Sequence, residues 1–509
     1  MRLKYNLNNS KFPVVILLGL AFLLRICNIG KEFSGDENLL IGMARLDFSQ
    51  MLSELIHKDA YPPLTYAILN FWLRLNSSTV WARTYFLLFG VGVCIVIYML
   101  AREYLGEKYA RLSLSLASFS PLLIFASQYT RSYIDSSFWM MVSSFCILKI
   151  VKARAGRLYW AAYTISAVLS LYTFYFSALL LCAHFLFLAL FKWNNKKLIL
   201  QWLVSAVCVG IFYLPWVPSA LRQFDNMTYF HYNWAGLGYS VGSLRIGLFT
   251  RNLFSLFGFD PYFFVFQGGV AAYLSAIALF FVAVASFTAV GLFLRACLVY
   301  LKRKFNDDKP LVWFPFCVTF LPLLIFWIIA MLMHVLPNAR YLISLHTSFL
   351  LLLSVYLLSL MEIKKTRWAG VILLTFILLI FTVRIPAAIS SEFEHAKAQT
   401  LLLKEAGQDD CFVCVSSCPP EVNTRAMIKI APYLKLNDEK TKYYIADEPS
   451  RMALNDSLGS CRIIWFYRVY GNMELFGANE LCDDWLKGQG YHYLKAAQFK
   501  NIDLIKYAR

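Results

Sequence analysis

Charge is what this sequence has least of. Only 15% of its 509 residues are Asp, Glu, Lys or Arg, where a soluble domain carries about 25%. Apolar residues reach 59% and mean hydropathy is +0.57. A water-soluble fold would lack polar surface, and an intrinsically disordered chain, a collagen-like fibre or a small disulfide scaffold does not have this composition. Acidic residues are the scarcest in the first part. Residues 1–386 hold 14 Asp+Glu against 33 Lys+Arg, while 387–509 hold 16 against 15. The net charge of +18 therefore lies in the apolar part, where it sets topology rather than binding polyanions, and nucleic acid is excluded as a partner. There is no internal repeat and no low-complexity stretch. No small-x-small cleavage site comes after the basic, apolar start, so an uncleaved first span is expected.

What the sequence has in abundance is long hydrophobic runs. A membrane helix needs about 20 mostly apolar residues. Eleven spans are expected, over 13–30, 81–101, 111–127, 133–151, 158–173, 174–191, 198–218, 264–294, 311–334, 341–361 and 368–386. The run 158–191 is divided near Tyr172, because two short spans suit its length better than one very long helix. With the N-terminus inside, the inner segments carry 21 Lys+Arg and the much longer outer loops carry 9. That alternation obeys the positive-inside rule and puts the C-terminus outside.

The fold class expected is mainly α: a polytopic membrane helix bundle of about eleven spans over 1–386, with a soluble α/β domain over 387–509. Within the outer loop 31–80, Phe48, Met51, Leu52, Leu55 and Ile56 recur at helical spacing, as in a helix lying in the membrane interface. Pro62 and Pro63 open another short helix. In the tail, strands are expected at 411–417, 442–447, 461–469 and within 491–507, with helices at 420–434 and 478–487. Cys411, Cys414, Cys418, Cys461 and Cys482 lie there. Buried strand cysteines, one or two disulfides, and zinc are all open readings, although the second CxxC of a zinc ribbon is missing.

Charges close to a membrane are informative because each is costly unless used or paired. Asp36 and Glu37 stand just outside the first span, as a solvated pair or as a general base towards an acceptor hydroxyl. Arg131 and Asp135 are four apart and could pair on one helix face; alternatively Arg131 and Tyr133 grip an anionic head group. Arg83 and Arg340 also begin spans on the outer side, against the positive-inside trend. Each arginine could simply snorkel, but together they suit a phosphate site.

Five motifs occur in order on the outer side: Asp36-Glu37; "YPPLTY" at 61–66; "WARTYFLLFG" at 81–90; "SPLLIFASQYTRSY" at 120–133; and Arg340-Tyr341. This set resembles the GT-C superfamily of membrane glycosyltransferases. It is most similar to the protein-mannosyltransferase-like and aminoarabinose-transferase-like groups, glycosyltransferase families 39 and 83, over about 30–360. The resemblance implies transfer of a hexosyl or pentosyl unit, with inversion, from a polyprenyl-phosphate donor to an extracytoplasmic glycan, lipid or protein acceptor. It implies Asp36, with Glu37 beside it, as the base or acceptor-positioning carboxylate. Arg131, Tyr133, Arg340 and Arg83 would hold the donor phosphate. Some aminoarabinose transferases have an acidic and a basic residue just before "PP"; here those places are Ala60 and Tyr61. No cofactor is implied with certainty, and a divalent metal is allowed for. The implied location is the cell's inner (plasma) membrane. The rivals are a transporter or flippase of a lipid-linked intermediate, for which paired halves and mid-span charges are missing, and a membrane scaffold, which has no need of clustered outer charges.

Overall fold

The computed structural model describes residues 12–224 apart from short breaks, 314–332, 339–390, and parts of the tail centred on its strands. They form two compact units. One is Met1–Ile29 with Phe48–Ser391, and the other is Gly30–Asp47 with Glu392–Arg509. The outer loop expected over 31–80 is thus divided between them.

The first unit is a helical bundle. Its helices are α1 (Phe12–Ile26), α3 (Phe48–Lys58), α4 (Leu64–Leu75), α5 (Thr79–Leu105), α6 (Glu107–Phe119), α7 (Pro121–Gln128) and α8 (Ile134–Val151). Next come α9 (Arg157–Thr173), α10 (Ser177–Lys192), α11 (Lys196–Tyr213), α12 (Phe314–Leu332), α13 (Ile343–Glu362) and α14 (Arg367–Ser390). Among the described residues α5, α8, α11 with its continuation to Phe224, α13 and α14 are long and apolar enough to cross a membrane. The bent pair α6–α7 makes a sixth if counted as one span, and α1, α10 and α12 are shorter apolar helices. The chain is an integral membrane protein. The run expected over 264–294 lies outside the described residues.

Helix ends obey local chemistry. Ser78 caps α5 by accepting from the Trp81 N–H, and Gly106 ends it in the left-handed region at φ 101°, which a residue without Cβ adopts without strain. The expected span 111–127 is not straight. Pro121 has no N–H to continue the ladder, Ser120 caps the new helix through the Leu123 N–H, and α6 and α7 meet at a 57° bend. The division of 158–191 falls where α9 ends at Thr173 and α10 begins at Ser177.

The centre of the bundle is α13, buried from Ile343 to Leu358. In lipid no hydrophobic force drives helices together, so small residues and hydroxyls carry much of the contact. Ser113 donates to Ser354 at 2.7 Å, Ser137 to Ser344 at 3.0 Å, and Ser120 lies 2.7 Å from His346 Nε2. By contrast α11 and α14 present exposed Leu, Ile, Val and Phe side chains, as lipid-facing helices do.

The second unit contains α2 (Gly35–Ala44) and a five-stranded sheet of order β2-β1-β3-β5-β4. Its strands are β1 (Cys411–Ser416), β2 (Thr441–Ile445), β3 (Ile463–Val469), β4 (His492–Phe499) and β5 (Ile502–Ala508). β1 pairs in parallel with β2 and β3, and β5 is antiparallel to β3 and β4. Trp465 on β3 is buried and donates its indole N–H to Asp410 at 2.7 Å. The helix expected at 420–434, most of that at 478–487 and the side chains of the five tail cysteines lie outside the described residues.

Candidate active site

The segment between α3 and α4 reads Asp59-Ala60-Tyr61-Pro62-Pro63. Two prolines cannot extend the preceding helix, so the chain leaves α3 and restarts at Leu64. This delivers Asp59 into the bundle beside Tyr66, one turn into α4. Tyr66 donates its hydroxyl to Asp59 Oδ2, and the Ala60 N–H donates to Oδ1 at 2.8 Å. Arg131 approaches from the short non-helical stretch between α7 and α8, with Nη1 3.6 Å from Asp59 Oδ2 and 3.5 Å from the Tyr66 hydroxyl. Both charged side chains are buried, at 8% and 6% exposure. Burial, then the Asp59 carboxylate, pushes the Tyr66 phenol well above its ordinary value, so Tyr66 stays a neutral donor.

Tyr61 closes the group on the other side. Its ring lies under the Arg131 guanidinium at 4.1 Å, and its hydroxyl is 2.6 Å from that of Tyr133. Tyr61 stacks on Phe174, while Tyr341 contacts Tyr133 and stacks on Phe176. The far face of this aromatic cluster lines an apolar cavity of about 460 Å³, whose walls include Phe174, Phe176, Leu221, Phe326 and Tyr341. A buried cation paired with a carboxylate thus stands against one wall of an apolar chamber. A guanidinium presents its N–H donors in a fork that matches phosphate as well as carboxylate oxygens.

No protein-family model matches the chain, and no curated protein matches it. Solved structures do. ArnT from Cupriavidus metallidurans bound to undecaprenyl phosphate superposes with a TM-score of 0.59 at 12% identity, over 98% of both chains. The chain has the GT-C fold. The oligosaccharyltransferase AglB from Archaeoglobus fulgidus, in complex with an inhibitory peptide and a dolichol phosphate, matches at 14% identity and a TM-score of 0.49, over 89% of this chain and 69% of that one.

Within this GT-C bundle Arg131 and Tyr133, both expected in the site, fall in one cluster. The pairing of Arg131 with Asp135 does not occur. Asp135 instead accepts from Thr65 at 2.7 Å and from Tyr85 at 3.2 Å, pinning α4 and α5 to α8, and Arg131 takes Asp59. Arg83 is buried on α5 and donates to the Ile29 carbonyl at 3.1 Å, which anchors the chain leaving α1. Arg340 lies in the 3₁₀ turn Ala339–Leu342, and its side chain is outside the described residues. Asp36 and Glu37 lie in the first turn of α2, in the second unit; Glu37 is buried, and the Asp36 side chain is outside the described residues.

Asp59, Tyr61 and Tyr66 are the members of the cluster that sequence reasoning missed. The signal was present: "PP" marks the restart of the chain, and the acid stands at Asp59, one position before the place that Ala60 occupies. Among the described residues no three His, Cys, Asp or Glu side chains cluster as metal ligands.

Proposed function

We propose that the protein is a glycosyltransferase that moves a sugar from a polyprenyl-phosphate donor to an acceptor outside the cytoplasm. The observation that carries the reading is the Asp59–Arg131 pair set against the apolar cavity through Tyr61. A donor of this class has the same two parts: a long apolar chain and a phosphate. The likeness of fold to a protein solved with undecaprenyl phosphate supports the choice of lipid.

In this reading Arg131, with the Tyr133 hydroxyl, stabilises the phosphate as the bond from the sugar C1 to phosphate oxygen breaks. An acceptor hydroxyl forms the new bond to C1 from the opposite face and gives its proton to a carboxylate, so configuration inverts. Asp36 is assigned as that carboxylate, with Glu37 beside it; Arg340 and Arg83 are the further donor-side candidates. The acceptor is a glycan, lipid or protein hydroxyl, and the transferred unit is a hexose or a pentose. The site would face outward from an inner (plasma) membrane, with the N-terminus inside and the sheet-bearing tail outside.

The test uses purified protein with undecaprenyl phosphate and, separately, a polyprenyl-phosphate sugar. Asp36→Asn keeps donor binding and loses transfer by on the order of 10²–10⁴. Loss with Glu37→Gln instead reassigns the base, and full transfer in both variants removes the pair from the mechanism. Failure of the parent protein to bind undecaprenyl phosphate overturns the lipid-donor reading. A cytosol-dependent reporter fused after Arg509 should be silent; activity there reverses the orientation.

A further inference from the structure

We infer that Gln223 is a positioning residue for the donor site, a latch that holds the segment carrying Asp59 and Tyr61 against Arg131. This rests on Arg131 being the donor-phosphate group, as proposed. Gln223 lies in the helical stretch 217–224 and is buried at 1% exposure. Its amide nitrogen donates to the Leu55 carbonyl at 2.8 Å and to the Tyr61 carbonyl at 3.2 Å. Its amide oxygen accepts from the Tyr175 hydroxyl, which itself accepts the Trp216 indole N–H at 3.0 Å. Both N–H groups and the oxygen are therefore engaged, and Tyr175 and Trp216 fix which end of the amide faces the carbonyls.

The two carbonyls bracket the segment that matters. Leu55 is in the last turns of α3, and Tyr61 precedes Pro62 and Pro63, which have no N–H to offer in a local turn. Between them lie Asp59, which pairs with Arg131, and Ala60; Tyr61 itself carries the ring under the guanidinium. One amide therefore ties both ends of a seven-residue stretch to the helical stretch 217–224. Gln223, Tyr175, Ala60 and Tyr61 also line the apolar cavity. An isoprenoid chain filling that cavity would press on the latch itself, so tail and phosphate binding act on one segment.

Gln223→Glu keeps the shape but replaces the N–H donors with oxygen, which repels both carbonyls. Three readouts are compared: thermal unfolding, amide hydrogen exchange, and undecaprenyl phosphate binding. The expected result is exchange about tenfold faster at the Asp59 and Ala60 amides, unchanged exchange in α8, and about tenfold weaker binding. Tyr175→Phe, which removes the group orienting the amide, should move the same two readouts in the same direction and covers the case in which Gln223→Glu does not fold. Unchanged exchange at 59–60 overturns the latch whatever happens to binding. Faster exchange with parental affinity overturns its link to the donor site, provided the double variant Arg131→Ala/Asp59→Asn loses affinity. If that double variant binds like the parent, the donor-site reading fails and with it the link, while the exchange arm still decides whether Gln223 holds the segment.

Discussion

Two buried arginines show how this protein uses charge in different ways. Arg25, near the end of α1, is fully buried, and its described partners are neutral oxygens: Ser127 Oγ at 3.1 Å and the carbonyls of Ala21, Ser118 and Ala117 at 3.0, 3.3 and 3.1 Å. Two of those carbonyls belong to the end of α6, where Pro121 has removed the N–H that would have continued the ladder. The guanidinium thus supplies the donors that the 57° bend leaves missing. Arg131 is also buried, but it rests on Asp59 and two phenols beside a cavity. Burial alone says nothing about function. An arginine whose fork closes on the fold's own carbonyls is framework, whereas one paired with a carboxylate at the wall of a chamber is the candidate for an anion site.

The comparison can be broken by substitution, and the largest effect is expected at Arg25. Arg25→Met should strand the two carbonyls at the bend, each at about 1–3 kcal/mol, for a total on the order of 2–6 kcal/mol in detergent unfolding. A small loss would show that water or a neighbouring hydroxyl serves the bend instead. Next, Arg131→Ala alone should cost about 3–5 kcal/mol of stability, because it leaves the Asp59 carboxylate buried without its partner. The single variant therefore cannot separate a folding role from a binding role. Asp59→Asn added to it should restore most of the stability while donor binding stays 10- to 100-fold down, a contact of about 1.5–3 kcal/mol. Recovery of both together would make Arg131 a framework residue like Arg25. No single second change should rescue Arg25→Met, since its oxygens come from the backbone of two helices and one serine.

Among the described residues, apolar helices fall within the long runs because hydrocarbon thickness dictates their length, and the break after Thr173 came from that same length. The strands were legible from alternation in the tail. The partner of Arg131 was not. Sequence proximity favoured Asp135, four residues on, but the loop before α8 turns Arg131 away from that helix face and towards the chain that Pro62 and Pro63 bring in. Such a meeting between residues 59 and 131 depends on how α4 packs, which no local pattern encodes. The bend at Pro121 was hidden for a similar reason: 111–127 is apolar enough to read as one straight span, and only the capping by Ser120 and Arg25 makes the break tolerable.

Two smaller effects sharpen the contrast. Gly90 lies against Ser127, and a Cβ there would meet Ser127 Oγ at 2.0 Å and Arg25 Nε at 3.2 Å. Gly90→Ala should therefore destabilise by about 1–3 kcal/mol through overpacking at the bend, measured as a lower unfolding midpoint, with donor affinity intact. Tyr133→Phe removes the hydroxyl that meets Tyr61 and should cost about 0.5–1.5 kcal/mol of stability, with weaker donor binding as its distinguishing readout. Parental affinity in that variant would confine Tyr133 to packing.

The burial of α13 on every side also bears on the order of synthesis. Ser113, Ser120 and Ser137 on α6, at the α6–α7 break and on α8 all find their partners on this helix, which is made more than two hundred residues later. Until the segment from Ile343 to Glu362 leaves the ribosome, those hydroxyls face an open slot in the bilayer. The slot is polar on its walls, and the helix that fills it carries Ser344, His346, Thr347, Ser348 and Ser354, so hydroxyls on both sides meet only when it arrives. The earlier helices therefore wait, half assembled, for a late keystone.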